Sequence, residues 1–158
     1  MAIAWLLLIF HQNVMTKFLK QDIKWTTALK IASIVQRKAA GKEDMPLIAR
    51  ILWNRLLKEM KLEVDATVQY ARDDKDNLTT GFWKPIKPAD KEIDSKYNTY
   101  KYTGLPPFPI SNPGLDAIDA VLNPAETDCL YYLYDSNRQI YCAKTYKEHL
   151  VNIEKYLK

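Results

Sequence analysis

The sequence has few residues that build metal centres and little that would cross a membrane. Its 158 residues include only two cysteines, Cys129 and Cys142, and two histidines, His11 and His149. These side chains form no metal-ligand motif, so we expect no metal and no other cofactor. The apolar run at residues 2–10 is nine residues long, whereas a membrane span needs about 20. It lacks a charged leader and a small-residue cleavage site, so we expect no signal, anchor or membrane span of its own.

The charge is not concentrated in one segment or one sign. Lys and Arg number 23 and Asp and Glu 19, a net charge of +4. The densest basic stretch, residues 83–101, also contains Asp90, Glu92 and Asp94. A nucleic-acid binder usually gathers its basic residues on one helix or stripe. We therefore expect no nucleic-acid partner; a small basic nucleic-acid-binding domain would have to show salt-sensitive binding to DNA or RNA.

The spacing of apolar residues predicts an α+β fold with a helical N-terminal half, a loop-rich middle, and a C-terminal β-hairpin and helix. A first amphipathic helix is expected up to about Lys20, and a second at residues 26–40, ending at Gly41. A third starts near Met45 with Pro46 in its first turn. Residues 63–112 contain five prolines and no long periodic run. We expect this middle to be mostly loop and to carry a binding groove.

The last part of the chain is regular again. Residues 111–113 read as a cap followed by proline at the first helical position, and Asn123-Pro124 ends that helix. The β-rich runs at residues 129–134 and 139–143 predict a hairpin. Thr145 and Glu148 form a capping box for a final helix. That helix places four residues on one face: Tyr146, Leu150, Ile153 and Leu157.

The predicted hairpin also bears on the cysteines. Depending on the register, Cys129 and Cys142 lie opposite or diagonal to each other. An opposite pair could form a disulfide, whereas a diagonal pair would exceed the Cα separation of about 7 Å that a bridge allows. We expect free, buried thiols.

A series of motifs runs through the chain. Residues 32–40 read A-S-I-V-Q-R-K-A-A. This run resembles the catalytic helix of the MltG (YceG-like) family of endolytic murein transglycosylases, which reads close to A-S-I-V-E-[KR]-E. The resemblance continues in order through N-R-L at 54–56, M-K-L-E-V-D-A-T-V-Q-Y at 60–70, Y-N-T-Y at 97–100, G-L-P-P-F-P-I-S-N-P-G at 104–114, L-N-P-A at 122–125, Lys144-Thr145, Glu148 and His149. It identifies residues 28–158 as the catalytic domain and leaves residues 1–27 as a helical lead-in from a larger architecture.

The resemblance implies a YceG-like fold and a carbon–oxygen lyase. Such an enzyme cleaves the β-1,4 bond between N-acetylmuramic acid and N-acetylglucosamine in peptidoglycan. Water is not used, and the muramic O6 closes on C1 to leave a 1,6-anhydro end. One glutamate protonates the leaving oxygen and then deprotonates the O6 hydroxyl. Glycan strands and the cell-wall synthesis machinery would be the partners, at the outer face of the bacterial cytoplasmic membrane.

The expected catalytic carboxylates are missing from this helix. Gln36 stands at the family's first glutamate and Lys38 at its second. An amide has no proton to transfer near pH 7, and losing a general acid–base group costs about 10²–10⁴ in rate. Asp65 is a candidate rescuing acid, although an aspartate before Thr67 also suits a turn. The chain is therefore either a weakly active enzyme or a pseudoenzyme that binds peptidoglycan without cutting it. We expect Gln36→Glu to raise lytic activity at least about tenfold.

The sequence also suggests where sugars would bind. The small residues around Gln36 predict a depression in front of it, unless they serve close helix packing. The loop at residues 97–100 offers amides, hydroxyls and aromatic rings to sugars, or is a polar loop anchored by buried tyrosines. Prolines stiffen residues 105–113, as a groove wall or a rigid connector requires. The predicted substrate contacts are Ser33, Arg55, Thr67, Tyr97, Asn98, Thr99, Tyr100, Pro107, Ser111 and Asn112.

Overall fold

The computed structural model describes residues 23–76 and 83–157. Five α-helices lie within these residues: α1 (Trp25–Lys38), α2 (Met45–Leu57), α3 (Asp65–Asp76), α4 (Leu115–Leu122) and α5 (Tyr146–Tyr156). The strands β1 (Tyr131–Tyr134) and β2 (Ile140–Ala143) form an antiparallel hairpin. The prediction of an α+β fold is therefore confirmed. The predicted helix that ends at Lys20 lies outside the described residues.

The core forms where α1, α2 and α4 pack against one another. Ile31, Ile34 and Val35 of α1 and Ile48 of α2 are completely buried, as is Val121 of α4. Fully burying a side chain of this kind contributes about 1.5–3 kcal/mol. This apolar contact fixes the direction of α1, so the side chains of its last turn project from a rigid support.

α1 ends at Lys38, earlier than predicted, and Gly41 does not end it. Ala39 already has extended backbone angles (φ −69°, ψ 137°), and Gly41 is extended as well (φ −157°). The hairpin holds the chain at this point. The Ala40 N–H donates to the Tyr134 hydroxyl at 3.1 Å, and Arg138 donates to the Ala40 carbonyl at 2.9 Å. A tertiary contact that local sequence cannot reveal thus ends the helix.

The prediction of a mostly irregular middle is wrong for residues 65–76, which form α3. The buried residues of α3 are Ala66, Thr67, Val68, Ala71 and Asp73. The apolar ones are small, which makes the helical periodicity weak. Asp65 lies in the first turn, where a carboxylate is favoured by the helix dipole. The 3₁₀ turn Pro88–Glu92 packs against α3. Apart from this turn, the described residues 83–112 are irregular as predicted.

The predicted C-terminal elements are confirmed, with one shift at a helix start. Gly114 is the N-cap of α4, so this helix begins after the predicted Pro113. β1 and β2 pair with Tyr132 opposite Cys142. In the capping box of α5, Thr145 accepts from the Glu148 N–H at 3.2 Å. None of the described helices is long and apolar enough to cross a membrane.

The prediction of free thiols is wrong, because Cys129 and Cys142 form a disulfide with their Cα atoms 5.9 Å apart. Cys129 lies before β1, so it is neither the direct partner of Cys142 nor part of the strand. The Leu130 N–H donates to the Ala143 carbonyl at 2.9 Å. This bond keeps the segment before β1 alongside β2 and brings the two sulfurs together.

The apolar face predicted for α5 is only partly covered. Tyr146, Leu150 and Leu157 are exposed, by 60%, 44% and 54%. α5 packs against the hairpin, and Tyr156 stacks on Tyr141 with ring centroids 3.6 Å apart. The start of α5, including Tyr146, therefore remains open to a ligand.

Candidate functional site

Gln36 joins α1 to the start of α4. Its Oε1 accepts a hydrogen bond from the Gly114 N–H at 2.8 Å. Gly114 is the N-cap residue of α4, whose first N–H groups have no partner within the helix. A Cβ at position 114 would lie 3.2 Å from Gln36 Oε1, so the absence of a side chain there permits this close contact. The catalytic role assigned to Gln36 from the sequence stays a prediction.

Ser33 makes a second connection one turn earlier on α1. It is fully buried, donates to the Lys30 carbonyl at 2.7 Å and accepts from the Ile110 N–H at 3.0 Å. Ser111 Oγ donates to the Ser33 carbonyl at 2.9 Å. We call the contact formed by Ser33, Gln36, Ile110, Ser111 and Gly114 the α1–α4 seam. The Ser33 end of this seam is buried, whereas the hydrogen bond between Gln36 and Gly114 lies at the surface.

Three of the predicted substrate contacts, Thr67, Asn98 and Thr99, are buried. Thr67 Oγ1 and Thr99 Oγ1 lie 2.9 Å apart, and the Val64 N–H donates to Thr99 at 3.0 Å. Asn98 Nδ2 donates to the carbonyls of Lys91 and Ile93 at 2.8 and 2.9 Å. These bonds tie the start of α3 to the loop at residues 97–100 and thereby position Tyr100.

A cavity of about 430 Å³ opens between the C-terminal end of α1, the start of α3, the hairpin and the start of α5. We call it the tyrosine cavity, because five of its lining residues are tyrosines. The lining residues are Lys38, Ile51, Leu52, Arg55, Leu62, Glu63, Val64, Asp65, Tyr100, Leu130, Tyr131, Tyr132, Leu133, Tyr134, Tyr146 and His149.

The aromatic rings that line the cavity contact one another and also border its open volume. Tyr132 and Tyr134 meet edge to face with centroids 6.0 Å apart. Tyr131 stacks on His149 at 5.4 Å and lies 5.8 Å from Tyr146. Rings held in this way offer flat apolar surfaces with polar edges, which suits ligands that have both characters.

Asp65 and Lys38 bring opposite charges to the same cavity. The Tyr100 hydroxyl donates to Asp65 Oδ1 at 2.5 Å. Burial, the hydrogen bond to Asp65 and its charge raise the pKa of Tyr100. Burial lowers the pKa of Lys38, and the charge of Asp65 opposes that shift. The Lys38 ammonium lies 5.8 Å from the centre of the Tyr132 ring.

Arg55 forms part of the cavity wall and is 7% exposed. Its Nε donates to the Leu130 carbonyl at 2.6 Å, and its Nη1 donates to the carbonyls of Lys61 and Leu62 at 3.0 and 2.9 Å. The same Nη1 pairs with Glu63 Oε2 at 3.2 Å. Arg55 therefore holds the segment before α3 against the segment before β1, and its donors are largely occupied.

Of the predicted site residues, the structure brings Arg55, Asp65 and Tyr100 together in the tyrosine cavity. Gln36, Ser33 and Ser111 lie in the α1–α4 seam instead. Tyr97 packs on Tyr70 with centroids 4.8 Å apart, and Pro107 is partly buried and Asn112 exposed. The cavity thus lies at the hairpin end of α1, whereas the predicted groove was placed between Gln36 and residues 97–113.

The predicted site omitted Lys38, His149 and the tyrosines of β1, which all line the cavity. A signal for them was present in the sequence. Three tyrosines occur within the four residues Tyr131–Tyr134, and His149 follows Glu148 in the last of the shared motifs. What the sequence could not supply was that the hairpin and the start of α3 line the same cavity.

Comparison with known proteins assigns the chain to a family. The family model described as the YceG-like family matches residues 8–155. This chain belongs to the YceG-like family. Its relatives include a protein named endolytic murein transglycosylase from Bacillus subtilis, 45% identical over 139 residues. Proteins of the same name from two Streptococcus pneumoniae strains are 35% identical over 130 residues.

A solved structure supports the fold. The crystal structure of a YceG-like protein from Listeria monocytogenes matches 90% of this chain with a TM-score of 0.81 and 35% identity. The chain covers 45% of that protein, 36% of the Bacillus relative and 23% of the Streptococcus relatives. The family match begins at residue 8, inside the predicted lead-in of residues 1–27; the boundary at residue 28 stays a prediction.

Proposed function

We propose that this YceG-like domain acts on the glycan strands of peptidoglycan as an endolytic murein transglycosylase domain, with the tyrosine cavity as its substrate site. Relatives with 45% and 35% identity are named for that activity. The observation that carries the proposal is the cavity itself, because it combines aromatic rings with a carboxylate and a cation. Aromatic rings pack on the apolar faces of sugars, and charged groups reach their polar edges.

The reaction we propose proceeds without water. A proton passes to the leaving oxygen of the N-acetylglucosamine unit while the muramic C1–O bond breaks. The muramic O6 then bonds to C1 and loses its proton, which leaves a 1,6-anhydro end. The protein must supply one group that gives the first proton and takes the second. To do both, that group needs a pKa raised towards neutrality.

The geometry favours position 38 over position 36 for that group. The family pattern has glutamates at both places, yet Lys38 lines the cavity and Gln36 lies in the α1–α4 seam. Residues two apart on a helix point to different sides. In this chain the described carboxylates that line the cavity are Glu63 and Asp65. Glu63 pairs with Arg55, so Asp65 is the one in position to transfer a proton.

A second candidate function follows from the same observation. Lys38 occupies the cavity where the family pattern has a glutamate, and Asp65 is bonded to Tyr100 at 2.5 Å. Such a site binds glycan but transfers protons poorly. The chain would then be a pseudoenzyme that holds peptidoglycan strands. We expect binding to be retained and the release of fragments to be weak.

Digestion of purified sacculi tests both functions. The wild-type protein, Lys38→Glu, Gln36→Glu and Asp65→Asn are incubated with sacculi, and 1,6-anhydro fragments are quantified by mass spectrometry. Lys38→Glu introduces a second carboxyl into the cavity, and the negative charge of Asp65 would raise the pKa of the introduced glutamate. We therefore expect at least about a tenfold gain in released fragments. Gln36→Glu is the matched control from the same helix, and we expect a change of less than about twofold.

Each outcome separates the alternatives. Fragments from the wild type that disappear in Asp65→Asn would show Asp65 as the proton-transfer group. Retention on sacculi without fragments would show the pseudoenzyme. A gain from Gln36→Glu and none from Lys38→Glu would move the reaction to the α1–α4 seam. Neither binding nor cleavage by any variant would refute the proposal.

We further propose that the domain works outside the cytoplasm, at the outer face of the bacterial cytoplasmic membrane and near the cell-wall synthesis machinery. The Cys129–Cys142 disulfide supports this location, because disulfides persist in oxidising compartments. Peptidoglycan as substrate requires the same location. Fractionation of cells that produce the full-length protein, with alkylation of free thiols in each fraction, would test it.

A further inference from the structure

His149 occupies an unusual place in the tyrosine cavity. It lies in the first turns of α5, stacks on Tyr131 at 5.4 Å and has Tyr146 at 6.4 Å. Its Nδ1 is buried and has no hydrogen-bond partner among the described residues. Buried polar atoms are nearly always paired, so one that is not requires an explanation. A ligand atom would supply the missing partner.

The charge state of His149 restricts the kind of ligand. Burial lowers the pKa of His149, and the positive charge of Arg55 lowers it further. The ring is therefore neutral at pH 7, with one nitrogen that donates and one that accepts a hydrogen bond. A neutral imidazole pairs well with uncharged hydroxyl and amide groups. These are the polar groups that N-acetylated sugars carry.

Tyr146 supplies the second part of the arrangement. It lines the cavity, yet it is 60% exposed. Tyr131, by contrast, is flanked by His149 and by Arg55, whose guanidinium lies 4.8 Å from the ring centre. Tyr146 is thus the aromatic residue at this end of the cavity that leaves ring surface open to a sugar. The rings of Tyr146 and His149 have their centroids 6.4 Å apart, so one sugar unit can span both.

We propose that His149 and Tyr146 form a saccharide subsite at the α5 end of the tyrosine cavity. His149 Nδ1 bonds an uncharged hydroxyl or acetamido group of one sugar unit, and Tyr146 packs on the apolar face of the same unit. The subsite rests on the proposed function, because it needs a glycan in the cavity. It assigns to His149 a binding role and no part in proton transfer.

Three variants isolate the nitrogen from the ring. His149→Phe keeps an aromatic ring for Tyr131 and removes the nitrogen. His149→Asn keeps a polar atom near the position of Nδ1. Lys147→Ala, on an exposed residue of α5, is the matched control. Binding of the N-acetylglucosamine tetrasaccharide and of peptide-free glycan strands is measured by calorimetry, with a sugar-free stem peptide as a separate probe.

We expect His149→Phe to weaken binding of the saccharides about five- to tenfold, the equivalent of one hydrogen bond. His149→Asn should stay within about threefold of the wild type, and Lys147→Ala should equal it. The ¹⁵N resonance of His149 Nδ1 in the wild type should shift when saccharide is added. This last measurement does not depend on the folding of any variant.

The inference and the proposed function fail in different ways. A wild type that binds no saccharide contradicts the proposed function. A wild type that binds saccharide with an unmoved Nδ1 resonance, or equally well as His149→Phe, overturns the subsite alone. Binding of the stem peptide with a shift of Nδ1, and no shift with saccharide, would also overturn the saccharide assignment.

Discussion

The two regions that flank α1, the α1–α4 seam and the tyrosine cavity, differ in whether their polar groups have hydrogen-bond partners. In the α1–α4 seam, Ser33 Oγ and Gln36 Oε1 accept from the N–H groups of Ile110 and Gly114 at 3.0 and 2.8 Å, and Ser111 Oγ donates to the Ser33 carbonyl at 2.9 Å. In the tyrosine cavity, Lys38 is drawn into a partly buried position and His149 Nδ1 has no partner among the described residues. In the seam, Ser33 and Gln36 Oε1 form hydrogen bonds with other parts of the fold. The cavity has kept some of its hydrogen-bonding capacity unused.

This difference separates residues that hold the fold in place from residues that we propose to contact a ligand. Residues of a recognised motif can hold the scaffold and not the ligand, as Thr67, Asn98 and Thr99 do here. Such residues would affect a ligand only indirectly. Their hydrogen bonds position Tyr100, which in turn donates a hydrogen bond to Asp65. We therefore expect seam variants to change stability, and cavity variants to change glycan affinity.

Substitution of Arg55 should lower the stability more than any seam variant, although Arg55 lines the cavity. This residue is bonded like a seam residue, to three carbonyls and to Glu63. Arg55→Met leaves the buried Leu62 carbonyl and the other, partly buried acceptors without this donor. We expect a loss of about 3–5 kcal/mol in the free energy of unfolding. Urea denaturation measures it. Arg50→Met removes a single bond to the Ala125 carbonyl and should cost about 1 kcal/mol; equal losses would contradict our account of Arg55.

Ser33→Ala tests the seam itself. The Ile110 N–H would lose its acceptor in a fully buried place, so we expect a loss of about 1–3 kcal/mol in the free energy of unfolding. The affinity for glycan strands should stay unchanged, because Ser33 does not line the cavity. Denaturation and calorimetry on the same sample check both parts. A large loss of affinity in a folded Ser33→Ala protein would place the substrate at the seam.

Alkaline pH should weaken the hairpin side of the cavity. Burial and the hydrogen bond and charge of Asp44 raise the pKa of Tyr134 to about 12. A folded-state pKa above the unfolded value near 10 favours the folded protein below pH 10, and the advantage is lost as the pH rises from about 10 to about 12. Because this side chain is partly solvated, we expect a loss of about 1 kcal/mol. Denaturation at pH 9, 10.5 and 12 measures it, and Tyr134→Phe should show a shallower decline.

Tyr146→Ala should give the smallest change in stability and a clear change in binding. The side chain is 60% exposed, so the free energy of unfolding should stay within about 0.5 kcal/mol. Loss of the open ring should weaken glycan binding about fivefold. Leu150→Ala, exposed on the same helix but outside the cavity lining, is the control and should change neither quantity. Unchanged affinity in Tyr146→Ala would remove this ring from the subsite.

The sequence predicted elements where signals were local. The capping box of Thr145 and Glu148 and the hairpin around residues 135–138 were predicted and are confirmed. α3 was missed because its buried apolar residues are only two alanines and one valine, so its periodicity is weak. Asp65, Arg55 and Tyr100 were named from motifs, and the structure brings them together. Lys38 and His149 were left out of the predicted site, because nothing local indicates which residue of a motif faces a cavity.

By itself the sequence determined the family, the α+β class and the order of the motifs, because these depend on residue types and spacing along the chain. Only the tertiary structure decided that Gln36 bonds to Gly114 while Lys38 lines the cavity. It also decided that Cys129 reaches Cys142. The physical reason is that each outcome depends on contacts between segments far apart in sequence. Two residues on one turn of a helix face different surroundings once the rest of the chain has packed around them.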